Sequence, residues 1–402
     1  MKKGLIKVLI GIFAALIIGA IVFVSVKKPF RKITANELSL MLCEALEIET
    51  DTPFETFKEM GFVDEAITKN GDENLTVEEA YSLVSRVYML NQNDATSLNY
   101  VSDNAKVSPS FKYDIAGIVG DRYVEKGKIN PKSLAKYRNI SEVVAKIQGT
   151  EITESGECSD KVTTGNFTIK QKDVILTDVA FEGTIIVSDV ENASITLSDV
   201  SLGGKLIIMA SSGTKVVLND GTKVFRGIYI VGAGGSVVVE SDGTADAKIF
   251  TKAESQITGN FNEITLLEGA TVNFNGKVET VKVKEKGEFN ISEGSFSLIY
   301  SQAQEAQITV GEKVTGTQLA LSPESKGNKV NFSGTAEDIS IEANDSLVNI
   351  KATAVITKLN IFVGSDNSTV LIEKRAKTGT VTNEEGSGAA LIDNRTQWDG
   401  RR

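Results

Sequence analysis

The feature that most limits what this chain can fold into is a short apolar triplet that returns about every ten residues between Val174 and Ile372. Early copies are Val174-Ile175-Leu176, Ile185-Ile186-Val187, Ile195-Thr196-Leu197, Leu206-Ile207-Ile208, Val216-Val217-Leu218 and Ile228-Tyr229-Ile230. Later copies, among them Val272-Asn273-Phe274, Val330-Asn331-Phe332 and Val348-Asn349-Ile350, carry a polar residue in the middle, the period-2 signature of a strand with one buried and one wet face. Gly, Asn, Asp and Ser fill the intervals and suit turns, because they accept positive φ or hydrogen-bond their own backbone. A unit of about ten residues cannot bury an apolar side alone. Two units per turn, stacked, give coils of roughly 20 residues that share one apolar column.

The expected fold is therefore mainly β: a right-handed parallel β-helix of about ten coils over residues 165–375. A left-handed hexapeptide helix would need a strict six-residue repeat, which is absent. Antiparallel β-sandwiches are the alternative, since they also give short strands at 8–12-residue spacing. In the early strands the middle residues Ile186, Ile207 and Val217 are as apolar as their neighbours, so either parity can face inward.

Composition removes several function classes. The 402 residues carry a formal net charge of −10, two cysteines and no histidine. An acidic chain without clustered Lys and Arg does not suit nucleic acid, and without histidine the commonest general base and zinc ligand are missing. Cys43 and Cys158 are too few for a disulfide framework or a metal cluster; two separate thiols and one long-range disulfide both stay open. No cofactor is expected.

Leu5 to Val26 is apolar except for Lys7 and Ser25, long enough to span a hydrocarbon core and longer than the apolar part of a signal peptide. Residues 1–32 are expected to form a cytoplasmic tip and an uncleaved transmembrane signal anchor. Lysines and arginines flank both ends almost equally, so charge does not set orientation; the short N-terminal tail places the bulk of the chain outside.

Residues 33–148 read as a separate helical domain. Thr34 with Glu37, Thr76 with Glu79, and Asn139 with Glu142 have the spacing of capping boxes, in which the cap side chain accepts from the third helical N–H and the glutamate reaches back to the cap amide. The order Val101-Ser102-Asp103, Ser108-Pro109, Tyr113-Asp114-Ile115-Ala116, Tyr123-Val124 and Lys128-Ile129-Asn130-Pro131, with the helix start at Asn139 to Glu142, resembles an S-layer homology (SLH) repeat; 61–80 resembles a second, shortened one and 33–46 the closing helix of a third. The resemblance implies a small helical cell-envelope module that holds anionic wall polymer through an arginine in an Ile-Thr-Arg-Ala-Glu motif. Here Ala35, Val77 and Ile140 stand at the matching positions, none able to make a bidentate charged contact. Thr34, Glu37, Thr76, Glu79, Asn139 and Glu142 are the motif positions that survive.

Residues 149–164 read as a polar linker and 376–402 as a loose tail. Within the β region Asp178, Asp189 and Asp199 recur after strands, and such carboxylates on adjacent coils meet the separation a glycosidase pair needs. Repetition at one place after each strand fits an Asx turn better. Gly203-Gly204 and Gly232-Ala233-Gly234-Gly235 lack the following helix and Lys-Ser/Thr of a phosphate loop. Lys282, Lys284, Glu285, Lys286 and Glu288 alternate in sign as a solvated face does.

The expectation is thus a non-enzymatic, membrane-anchored structural or adhesion protein of the bacterial envelope, whose partners are the membrane and cell-wall polysaccharide or peptidoglycan. A polymer-forming scaffold similar to bactofilins is the second reading and a polysaccharide-active β-helix enzyme the third.

Overall fold

The computed structural model describes residues 31–396 apart from 93–94, 102–103, 126, 128, 159–161, 210–212, 220 and 233–235. The apolar run Leu5–Val26 lies outside the described residues, as do Ser102, Asp103, Lys128, Gly234 and the last residues of the chain. Among the described residues no helix is long and apolar enough to cross a membrane. Contacts divide the chain into a helical unit ending at Gly149 and a β unit beginning at Thr150.

The helical unit holds α1 (Ala35–Leu46), α2 (Pro53–Glu59), α3 (Val77–Val87), α4 (Lys112–Gly120) and α5 (Tyr137–Gln148). Helices α1, α3 and α5 are entered by three short segments that bond head to tail. Ile33 N–H donates to the Ala135 carbonyl (3.0 Å), Ala135 N–H to Leu75 (2.8 Å), and Leu75 N–H back to Ile33 (3.0 Å). Three further bonds extend the same pairings outward, from Ala35 to Glu73, Val77 to Ser133 and Tyr137 to Arg31. Ile33, Leu75 and Ala135 are fully buried at the centre. The unit is thus an internal threefold arrangement in which Thr34, Thr76 and Lys136 occupy equivalent positions.

The β unit is a parallel solenoid of about 11 turns. Every ladder between its strands is parallel among the described residues, which removes the antiparallel sandwich. One face is built from Thr150–Ile152, Phe167–Ile169, Ile185–Val187, Leu206–Met209 and Ile228–Val231. The other is built from Gly156–Cys158, Asp173–Thr177, Ser194–Ser198 and Lys215–Leu218. The solenoid therefore begins at Thr150, and the stretch expected as a linker, 149–164, supplies its first coil. It also continues past 375: Lys377–Asn383 and Ala390–Asp393 form the last coil, where a loose tail was expected. Polar composition hid both ends, since a terminal coil has only one neighbour to bury its apolar side.

Between Val237 and Leu321 the two faces join into long strands, Glu254–Leu266, Thr271–Val283 and Glu288–Ser301 among them. Each bends once, at Gly259, Gly276 and Gly294, with φ of 127°, 136° and 117°. These glycines stack in register, and a Cβ on Gly276 would collide with the Gly259 carbonyl. Only glycine fits this corner, because the conformation lies outside the region L side chains adopt and the backbones touch.

Inside, Val174, Ile195, Val216, Val239, Ile257 and Phe274 form one column, each no more than 1% exposed. Burial of each such side chain contributes about 1.5–3 kcal/mol, and the pattern repeats to Ile372. The parity of the early strands is now resolved. Val216 and Leu218 point inward and Val217 outward, whereas on the opposite face Ile185 and Val187 join the core and Ile186 and Ile207 point away from it. Ile186, Ile207 and Tyr229 are nevertheless buried, so this part of the wall is buried on both sides.

Candidate functional site

The six motif positions separate into two working caps and one that is not. Thr34 accepts from Glu37 N–H (3.2 Å) while its own amide donates to the Glu37 carboxylate (3.1 Å). Thr76 and Glu79 repeat this at 3.3 and 2.7 Å. The third helix begins three residues earlier than expected: Tyr137 is its first residue, Lys136 its cap without a side-chain bond, and Asn139 lies inside it. Glu142 bonds Arg138 (2.8 Å) on an exposed surface instead of closing a capping box. The threefold register makes Tyr137, not Ile140, the equivalent of Ala35 and Val77. Arg31 stacks over the Tyr137 ring (5.1 Å) and bonds Glu37, an arrangement no local motif announces. Burial works against ionisation of Glu37, but bonds from Arg31 and the Thr34 amide outweigh it and lower its pKa.

Deeper in this unit Arg86 joins Asp64 and Asp114, and Ser82 donates to Asp114 (2.6 Å). Burial raises the Asp114 pKa despite these partners. The nearly buried Glu78 carboxylate accepts from Ser108 N–H (3.1 Å), Ser108 Oγ (3.0 Å) and Lys132 Nζ (2.5 Å). Both are closed networks that tie helices to loops. Cys43 is a buried free thiol whose pKa burial pushes up to about 11, which leaves it protonated and unreactive.

In the solenoid, Asp178 and Asp199 occupy one corner of adjacent coils, with φ of 53° and 55°, and Gly221 follows them there at 86°. A position taken in turn by Asp, Asp and Gly is a left-handed corner. Asp189 follows a strand of the other face and does not join them. The three carboxylates are therefore not one catalytic set. Gly204 sits where a Cβ would strike the Gly183 carbonyl, so its role is close stacking of coils. Lys282 pairs with Glu263 (2.8 Å) and Lys286 with Glu305 (2.7 Å), which links neighbouring coils.

A concave feature lies at the mouth of the first coil. A cavity of about 410 Å³ is floored by Ile152, Phe167, Leu176, Val179 and Phe181 and edged by Glu151, Glu154 and Glu157. It follows from topology, because the first coil has no earlier coil to roof its inward side chains. Glu151 pairs with Lys170 (2.9 Å). Among the described residues no group of three or more Cys, Asp or Glu could hold a metal ion.

At the far end an arginine lies against the last described coil. Arg395 folds across the last coil: Nε donates to both Asp393 oxygens (2.8 and 3.1 Å), Nη2 to Asp393 Oδ2 (2.6 Å) and Nη1 to the Thr378 carbonyl (2.9 Å). That bond occupies a backbone acceptor that a further coil would otherwise take. Between the ends, the outward positions of one face line up as Gln256, Asn273, Asn290, Thr309, Asn331 and Asn349. Asn290 Nδ2 donates to Asn273 Oδ1 (3.2 Å) and Asn349 Nδ2 to Asn331 Oδ1 (3.1 Å). Comparison with known proteins returns no family model, no curated relative and no solved structure that matches.

Proposed function

We propose that this chain is a non-enzymatic structural or adhesion protein of the bacterial cell envelope, held to the membrane by residues 5–26 and exposing the rest of the chain outside. On this reading the threefold helical unit is a degenerate SLH-like module and the solenoid, right-handed, is a rigid spacer. Some 11 coils at about 4.8 Å each extend it by roughly 50 Å.

The observation that carries the reading is Arg395, bound across the edge of the last described coil. A filament-forming solenoid needs open ends that pair with the next subunit, whereas Arg395 occupies the Thr378 carbonyl on this edge. That favours the envelope protein over a bactofilin-like polymer. Asp178 and Asp199 hold left-handed turn conformations at one corner of adjacent coils, and Asp189 stands apart from them, which supports a turn role for these carboxylates over a polysaccharide-active enzyme.

Protease treatment of intact cells, followed by membrane fractionation, tests the proposal. The solenoid is expected to be digested from outside while a short N-terminal fragment stays in the membrane fraction until detergent releases it. Full protection of the chain in intact cells, or its recovery in the soluble fraction, would overturn the reading.

A further inference from the structure

We infer that Asn70 is a site of self-modification, at which the Gly71 backbone nitrogen displaces ammonia from the Asn70 side chain and water opens the resulting ring to an acid. The inference does not depend on the envelope reading above. The chain contains two Asn-Gly pairs, Asn70-Gly71 and Asn275-Gly276. Glycine is the neighbour this chemistry needs, because no β-carbon shields its nitrogen and its backbone turns freely. The fold holds the two pairs in opposite ways.

Asn70 lies exposed in the loop that leads to α3. Its side-chain oxygen accepts from Asp72 N–H (3.1 Å), an Asx turn that folds the amide back over the Gly71 peptide. The same N–H stands where negative charge grows on that oxygen as the amide carbon becomes tetrahedral. Among the described residues the Gly71 N–H has no hydrogen-bond partner, so its attack breaks no bond of the loop. Packing demands glycine here, since a Cβ on residue 71 would collide with the Asn36 side-chain amide. Asn275-Gly276 instead belongs to the strand Thr271–Val283, with Gly276 paired to Gly259 on one side and Gly294 on the other. Its nitrogen cannot swing toward the side chain without opening ladders on both sides.

In the first step the Gly71 nitrogen gives its proton to solvent base and bonds Asn70 Cγ. The Cγ–Nδ2 bond breaks, and the departing NH2 takes up a proton and leaves as ammonia. Water then adds to one of the two ring carbonyls. Breaking the nitrogen–Cγ bond gives aspartate at 70, whereas breaking the nitrogen–main-chain carbon bond gives isoaspartate, whose chain runs through Cβ and Cγ and is one carbon longer. Either product adds a negative charge beside Asp72 and Glu73. The longer one also displaces the Gly71 carbonyl from Asn36 N–H (2.7 Å) and the Glu73 carbonyl from Ala35 N–H (3.1 Å), the bonds that hold the start of α1.

Incubation of the detergent-solubilised full-length chain at mildly alkaline pH, followed by cleavage in mild acid and peptide mass spectrometry, tests the inference. Asn70 is expected to convert at least about tenfold faster than Asn275, because a laddered peptide must first open, and unfolding in urea should bring the two rates together. Amide exchange at Ala35 and Asn36 should speed up as conversion proceeds. In Asn70→Ser the hydroxyl can still accept from Asp72 N–H but no ammonia can leave. This variant should start with the exchange rates of the unmodified chain and keep them through the same incubation. Absence of conversion at Asn70 in the folded chain, equal conversion at Asn70 and Asn275, or the same rise in exchange in the incubated serine variant would each overturn the proposal.

Discussion

Truncating Ile195 and Ile175 to alanine in parallel separates the two sides of one coil wall. The two isoleucines sit on adjacent coils of the same face, where Ile195 pairs with Val174 and Ile175 with Thr196. Ile195 is fully buried between Val174 and Val216, and Ile175 is 44% exposed. The substitution removes three carbons, worth about 2.4 kcal/mol by transfer at about 0.8 per carbon. Backbone ladders hold the coils above and below at fixed spacing, so the space left at Ile195 cannot close, and a total near 3 kcal/mol is expected. Ile175→Ala should cost roughly 0.5 kcal/mol or less. For a unit of this size each kcal/mol corresponds to about 2–4 °C, so Ile195→Ala should lower Tm by about 6–12 °C and Ile175→Ala by about 2 °C at most. Thermal melts followed by circular dichroism measure both. Equal shifts would refute the assignment of an inner and an outer side. The opposite face supplies the control, since Ile185 and Ile186 are adjacent in sequence and both buried. There both truncations should be costly.

Two further outcomes follow from the caps. Thr76→Ala removes a working helix cap and should cost about 1 kcal/mol, whereas Asn139→Ala, inside α5 and exposed, should change stability by about 0.5 kcal/mol or less in urea titrations and in the favourable direction. Bonds from Arg395 hold the Asp393 carboxyl below its ordinary value of 3.8. A depressed carboxylate pKa contributes stability that is present above 3.8 and lost as pH falls through the lower folded value. Amide exchange in Lys377–Asn383 should therefore speed up in acid below that point, and Arg395→Ala should remove this pH dependence.

The solenoid was legible because its physics is written in every coil. The apolar triplets, the alternation in Asn273, Asn331 and Asn349, and the Gly and Asp corners are each a local consequence of the same stacked geometry. Sequence reasoning stopped short at the two ends for a related reason. Thr150–Ile152 has a coil on one side only, and Ala390–Asp393 is met by Arg395 in place of a coil, so neither carries the full apolar signature. The parity of Ile186 was out of reach because a strand buried on both sides shows no alternation.

The helical unit shows the complementary limit. Thr34 and Thr76 could be placed from side chains alone, since a capping box is a pattern of side chains. The third entry depends instead on main-chain bonds, Tyr137 N–H to Arg31 and Ala135 N–H to Leu75, to which any residue can contribute. Asn139-Ile140-Ser141-Glu142 imitates a box but lies a fraction of a turn too late. The relation among Thr34, Thr76 and Lys136 is a property of the ring that joins the three segments. That ring also explains why Arg31 reaches both Glu37 and Tyr137: closing the threefold brings the start of the domain against its last helix. Side chains far apart in sequence become neighbours there for a reason that only the closed ring supplies.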